Sequence, residues 1–519
     1  MSPLPARYVA PRRLLHRLLD EPDLVAAVQA LPATALGKVI DHIGLEDAGE
    51  LVALATTDQL RRIFDDDLWH SERPGKDETF DADRFALWLV IMLEAGEAFA
   101  AGKLAELPED LVMLALHKNV LVVNIEQMAV AMSGGNGNDD DRLAEKALES
   151  CLCEELDEYR IISRKHDGWD ATLSVLLALD RDHHDFLARV LERLCYMTAE
   201  YVDEHGGLHH VLSSQEMLEE DVAAEREDRR SGEGYVAPSS AASFLALART
   251  TPLEEILQAT KPDPLTAAYF RAWKRPTTKP TSSANGATTN KAKQTAASHR
   301  LLEILRDTDV VPRPAAAGLL GEASARDSRP TLFTDAMAAL QAASPETHDR
   351  RMQELAYVTQ VLLAGCTFEG RAMRPLEAAG AAMATVSLGT NHVAGGAAAV
   401  TVIRPQSVDK LFRIGWHLLF RDIVMPAARA VEQQLKTSGA APQARELGAA
   451  IKSGKPWSAL PGIRALGLEN AEVSTLLALS DECPSLRHLL AQARDSMCAL
   501  AFVAKHSQLQ AVRDFLATL

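Results

Sequence analysis

The chain has 519 residues, enough by the usual size of domains for two to four of them. Its 47% apolar and 24% charged residues describe a globular chain, and the low aromatic share of 5% beside abundant alanine favours close-packed helices over stacked sheets. A net charge of −18 disfavours a sequence-independent nucleic-acid binder, which needs a basic face, and the scattered cysteines lack the density of a disulfide scaffold and suit a reducing cytoplasm.

The N-terminus, MSPLPARYVAPRRLLHRLLDEP, is basic but has no continuous apolar run, so it does not read as a secretory signal. The stretch from Leu31 to Trp69 reads as three short helices in series. Pro32 suits a first helical turn, and Leu36, Val39, Ile40 and Ile43 recur at helical spacing up to Gly44. Leu45 to Ala55 forms the second, with Glu46, Asp47 and Glu50 where the helix dipole favours acids. Thr57 or Asp58 caps the third, which carries Leu60, Ile63, Phe64 and Leu68. No helix this short is stable alone, so the three must bury one another's stripes, as in a solenoid.

Phe80 to Ala101 reads as one longer helix with Phe85, Trp88, Leu89, Met92 and Leu93 on one face. SGGNGNDDD at 133–141 is a loop by composition, and a helix is expected from Arg142 to Leu156. Further helices follow at Trp169–Leu179 and His183–Tyr201, then an acidic and basic one at Ser214–Arg230 opened by a Ser213–Glu216 capping box. Its charged face reads as solvated, with a partner-docking face as the alternative. Residues 275–298, rich in Thr, Ser, Pro, Asn and Lys, have almost nothing to bury and form the clearest linker.

Beyond the linker, helices are expected after Ser344-Pro345, over Arg371–Ser387 and over Pro405–Arg421, the last with Leu411, Phe412 and Trp416 on a buried stripe. The most apolar window, Ala378 to Ile403, is broken by Ser387, Thr390, Asn391, His392 and Gly395-Gly396, so it reads as a buried helix and loop and not as a membrane span. No run of alternating strands is evident. The expected fold is therefore all-α: a helical-repeat superhelix followed by a second all-helical domain. The boundaries are 11–132 for a short-helix domain, 142–274 for a central region continuing the array, 275–298 for a disordered linker and 299–519 for the C-terminal helical domain.

Several segments taken together resemble a known family: Gly44-Leu45-Glu46-Asp47-Ala48, Gly234-Tyr235-Val236-Ala237-Pro238, Leu363 to Arg371, Pro375-Leu376-Glu377-Ala378-Ala379, and Leu411 to Trp416. The combination resembles an uncharacterised bacterial family carrying a domain-of-unknown-function label, found among cytoplasmic proteins of deltaproteobacteria and myxobacteria. That resemblance covers most of the chain and implies no catalytic residues. The N-terminal part is also similar to the intracellular helical domain of MgtE-type magnesium transporters, a superhelix of short helices. The transporter's membrane part has no counterpart here, so transport does not carry over.

The metal-ligand candidates are Asp180, His183, His184, His205 and His209, of which Asp180 and His184 sit four apart on one helix face. No HExxH and no cysteine pair at zinc spacing accompanies them, so the competing reading is a polar helix junction with surface histidines. Cys366 and His417 read as core or rim residues. The glycine-bearing segments around Gly389 and Gly395 match neither a phosphate loop nor a dinucleotide fingerprint. The sequence thus points to a non-enzymatic cytoplasmic helical scaffold binding protein partners, with no cofactor, no nucleic acid and no membrane span. The alternative is a metal-dependent enzyme or metal-responsive regulator using the Asp180–His210 cluster.

Overall fold

The computed structural model describes residues 11–21, 23–71, 75–126, 152–203, 214–273, 300–305, 332–368 and 371–426, with isolated positions beyond. The 275–298 linker, the loop at 133–141 and the Ser213 cap lie outside the described residues. The chain divides into two units. One comprises Met1–His70, Thr79–Asp228 and Pro280–Arg313, and the other Ser71–Glu78, Arg229–Lys279 and Pro314–Leu519. Helix dominates the described residues of both, and no described helix is long and apolar enough to cross a membrane.

The first unit begins with α1 (Pro11–Leu19), α2 (Leu24–Gln29) and α3 (Ala33–Ile43), and the expected stripe of Leu36, Val39, Ile40 and Ile43 is buried. Gly44 ends α3 at φ 100°, a conformation that costs glycine little. The expected second helix is split into a 3-10 turn at Leu45–Asp47 and the short α4 (Gly49–Leu54). The cap of α5 (Thr57–Asp67) is Thr56, one residue earlier than expected. Its hydroxyl accepts from the Gln59 N–H at 3.2 Å, and its own N–H donates to Gln59 Oε1 at 2.9 Å. The other end of the Gln59 amide donates to the carbonyls of Val28 and Leu31, each at 2.8 Å. This buried side chain therefore closes the cap and also ties α5 to the turn between α2 and α3.

The single helix expected over Phe80–Ala101 is two, α6 (Ala82–Glu94) and α7 (Glu97–Glu106). Gly96, at φ 116°, turns the chain between them. Asp67 anchors α6: its carboxylate accepts from Arg84 at 2.7 and 3.0 Å and from the Trp88 indole N–H at 2.6 Å. The Trp88 ring meets Phe64 edge to face at 5.0 Å between centroids. The unit continues through α8 (Glu109–Asn119), α9 (Trp169–Asp182), α10 (His184–Asp203) and α11 (Ser214–Ser231), whose last turn passes into the second unit.

Strands correct the all-helical expectation in detail. β1 (Trp69–His70) pairs with β2 (Thr79–Phe80), and β3 (Val120–Asn124), β4 (Cys153–Leu156) and β5 (Tyr159–Ser163) form an antiparallel sheet in the order β3-β5-β4. Val122 lies opposite Ile161, and both are buried. Cys153–Leu156 falls where a helix was expected; pairing with the β-branched Ile161–Ile162 of β5 overrides its weak helical preference.

The second unit contains α12 (Pro238–Thr250), α13 (Leu253–Gln258), α14 (Pro264–Trp273), α15 (Leu332–Ala343), α16 (Pro345–Gly365), α17 (Pro375–Ala394), α18 (Ala399–Ile403) and α19 (Val408–Leu419). The turn expected between Leu362 and Arg371 contains a two-residue hairpin of β6 (Thr367–Phe368) and β7 (Arg371–Ala372), so α17 starts at Pro375. The core is built on Phe244, Tyr357, Phe412 and Trp416. Cys366 is wholly buried among them, as expected of a core thiol.

Candidate functional site

The predicted cluster forms in part. Asp180 lies in the last turn of α9, His183 ends that helix by donating its N–H to the Leu179 carbonyl at 2.7 Å, and His184 opens α10. Across this break Asp180 Oδ1 and His184 Nδ1 stand 2.9 Å apart. Asp157 joins them from the turn between β4 and β5, where it adopts φ 51°. One ligand atom from each of Asp157, Asp180 and His184 lies within 4.8 Å of the others. The bond to Asp180, helped by the charges of Asp157, Asp180 and Asp185, raises the His184 pKa above its ordinary value. Two carboxylates and an imidazole offer mixed oxygen and nitrogen donors of the kind divalent metals take.

His183 does not join the set. It is half-buried, and its Nε2 lies 3.9 Å from where a Cβ on Gly102 would stand. Asp182 is taken by Arg181, which also reaches Glu97. His205 and His209 lie outside the described residues. Asp157 was not among the expected ligands, since it lies just past the helix expected to end at Leu156; the local signal is the Asp157-Glu158 pair between two runs that pair as strands.

A second feature of this unit is a cleft of about 600 Å³ between α8, α10 and α11. Met113, Met197 and Leu218 form its buried floor, while Tyr196 and Met217 are 69% and 44% exposed at its mouth. Its charged lining is Asp110, Glu192, Asp221 and Arg193, and Arg193 is already bonded to Glu109 at 2.9 Å and Asp110 at 2.8 Å. The α11 face read from sequence as solvated, or alternatively as partner-docking, thus presents Met217 and Asp221 to a cleft of mixed apolar and charged lining.

The second unit holds a larger cavity, of about 910 Å³, between the α13–α14 connection, the first half of α16 and the start of α19. Its wall includes four buried charged side chains, Asp263, Arg351, Glu354 and Asp409. Asp263 caps α14, accepting from the N–H groups of Leu265 and Thr266 at 3.0 and 3.1 Å. Arg351 donates to both Glu354 oxygens at 2.6 and 2.7 Å, and Glu354 also accepts the Val408 N–H at 2.8 Å, which fixes the start of α19.

Asp409 is different. Burial, with Glu354 and Asp263 nearby, pushes its pKa from 3.8 up to about 6, against a bond from Ser407. The unfolded chain therefore ionises Asp409 before the folded chain does, and this residue's contribution to stability falls as pH rises from about 4 to about 6. Asp409→Asn should consequently raise stability above pH 7, by up to roughly 3 kcal/mol for a shift of about two pKa units at 1.36 kcal/mol each, and give no gain near pH 4. Melting of both proteins across pH 4–8 checks this, and equal midpoints at pH 8 would contradict it.

All three features fall within residues 7–442, which match the sequence profile described as Family of unknown function (DUF6178). The chain belongs to that family. DUF6178 membership bears out the expected resemblance to an uncharacterised family and brings no assigned activity with it. No curated protein and no solved structure matches the chain.

Proposed function

We propose that this DUF6178 chain is a non-enzymatic, cytoplasmic helical adaptor, and that it binds a protein partner through the cleft between α8, α10 and α11. The observation that carries this reading is the exposure of Tyr196 and Met217 over a floor of Met113, Met197 and Leu218. Methionines adapt to a partner's shape, and a partly exposed tyrosine offers a large rigid contact at low entropic cost. The occupant that fits is an amphipathic helix of another protein, apolar on one face and basic along its flank, because the lining acids outnumber a single arginine that is already paired. The series of short helices from α1 to α5 supports a superhelical scaffold presenting this cleft. The thiols of Cys153 and Cys195, which form no disulfide among the described residues, fit a reducing compartment.

The test is recovery of the full tagged chain from its own cells beside Tyr196→Glu with Met217→Glu. Both positions are exposed, so the variant should melt within about 0.5 kcal/mol of the parent. A stoichiometric partner retained by the parent and lost by the variant is the expected result. A partner retained equally by both would refute the cleft.

A second reading is favoured by the arrival of Asp157 beside Asp180 and His184. On this reading the cluster holds a divalent ion and the protein is a metal-dependent enzyme or regulator, akin in responsiveness to the MgtE-type helical domain. Elemental analysis of untagged protein, and its melting midpoint with millimolar magnesium, decide it. A stoichiometric metal lost in Asp157→Asn with Asp180→Asn supports the site, and no metal and no shift remove it.

A further inference from the structure

His117, near the end of α8, is the only buried histidine among the described residues. Its Nε2 stands 3.1 Å from Oε1 of Gln215 in the first turn of α11. An amide oxygen can only accept, so Nε2 carries the imidazole proton and Nδ1 is bare. Nδ1 is itself buried and has no hydrogen-bond partner among the described residues. This tie lies beside the cleft of the first unit. Met113 of the cleft floor is one helical turn before His117, and Met217 and Leu218 follow directly on the turn that holds Gln215. A second bond crosses the same seam one turn further along α11, from the Lys118 ammonium to Glu219 at 2.7 Å.

A proton added at Nδ1 would find no acceptor, and it would meet like charge. Among the described residues the charged groups acting on His117 are Arg164, just past β5, and Lys118 of its own helix. The acids beside Gln215 on α11 are Glu216 and Glu219, and Glu219 is held by Lys118. No described titratable group of α6 or α10, which also pack on α8, is among those acting on it, and β3 carries none. Burial, with the two cations, holds the imidazole below its ordinary pKa of 6.5, against the bond from Gln215. The unfolded chain therefore takes up this proton before the folded chain does. The tie's contribution is complete above pH 6.5 and is lost as pH falls below it. The local escape is for the first turn of α11 to lift and let water reach the imidazolium.

We propose that the His117–Gln215 contact is an acid-released latch: protonation of His117 detaches the first turn of α11 from α8 and dismantles the Met217–Leu218 wall of the cleft. Release of a partner on acidification rests on the adaptor reading of that cleft; the latch itself does not.

The experiment is hydrogen exchange of the full chain, without partner, at pH 7.5 and pH 5.5, corrected for the intrinsic dependence of exchange on pH. The amides to read are those of residues 218–221, which bond back to the first turn of α11, with α3 as reference. They should exchange about tenfold faster at pH 5.5, the effect of one pKa unit, while α3 keeps its rate. His117→Gln, which keeps a donor for Gln215 and cannot titrate, should remove the acid response. Gln215→Glu, which offers the imidazolium a carboxylate, should remove it by the opposite route, and serves if His117→Gln does not fold. Equal protection of these amides at both pH values in the parent overturns the proposal. So does an undiminished acid response in either variant that keeps its fold. A failed latch leaves the Tyr196→Glu test of the cleft standing, and a partner indifferent to Tyr196→Glu leaves the exchange result standing, so the two readings fail separately.

Discussion

Trp416→Ala should destabilise the second unit by about 3–5 kcal/mol, the range for removing a large buried aromatic. Trp416 is 2% exposed and stacks on Phe412 at 5.6 Å, Phe412 meets Phe244 at 6.0 Å, and Phe244 meets Tyr357 at 5.6 Å. The indole therefore closes a chain of rings drawn from α12, α16 and α19. Its N–H has no hydrogen-bond partner among the described residues, so truncation removes packing and breaks no polar contact there. Such a loss is a large share of the about 5–15 kcal/mol that holds a typical domain together. Urea unfolding should report it, and limited proteolysis should open the C-terminal half while the N-terminal half stays intact. A variant that melts like the parent would make the ring stripe an interface and not a core.

Gly415→Ala should be as damaging, for the opposite reason. A Cβ at Gly415 would stand 2.0 Å from the Thr385 carbonyl oxygen, and one at Gly389 would stand 1.9 Å from the Leu411 carbonyl oxygen. The backbones of α17 and α19 meet at these glycines, and neither obstructing atom belongs to a side chain that could swing away. The helices must separate, so the cost should exceed the about 1–3 kcal/mol of ordinary overpacking. Gly37→Ala supplies the control: its Cβ would meet only the Ile63 side chain at 3.5 Å, within a regular helix. That change should be neutral or stabilise by about 0.5–1 kcal/mol, the usual difference between alanine and glycine in a helix. Equal melting of the Gly415 and Gly37 variants would contradict the close crossing.

What was legible in the sequence follows the range over which each signal acts. The stripes of α3 and α19 were read correctly because an amphipathic helix writes its buried face at a fixed local period. Trp416 was expected in the core and is there. The break at Gly96 was missed because a lone glycine inside an apolar helical pattern does not announce a turn. β3 was missed because its apolar run, Val120–Val123, is continuous and short, and periodicity alone cannot separate that from helix. The candidate sites depend on longer reach. Asp180 and His184 meet through local spacing, whereas Asp157 arrives by strand pairing. Asp409 is an ordinary first-turn acid in sequence, and only the packing of α14 and α16 around it makes it a buried carboxyl with a raised pKa.

The central claim is that the cleft between α8, α10 and α11 receives a helix of another protein. Photo-crosslinking within the native cell tests it most directly, with the reactive side chain at Met217 in one variant and at the equally exposed Leu247 of the second unit in another, both 44% accessible. One discrete crosslinked protein from position 217, absent from position 247 and abolished by Tyr196→Glu, is the predicted result. The same products from both positions, or products unchanged by Tyr196→Glu, would contradict the adaptor reading.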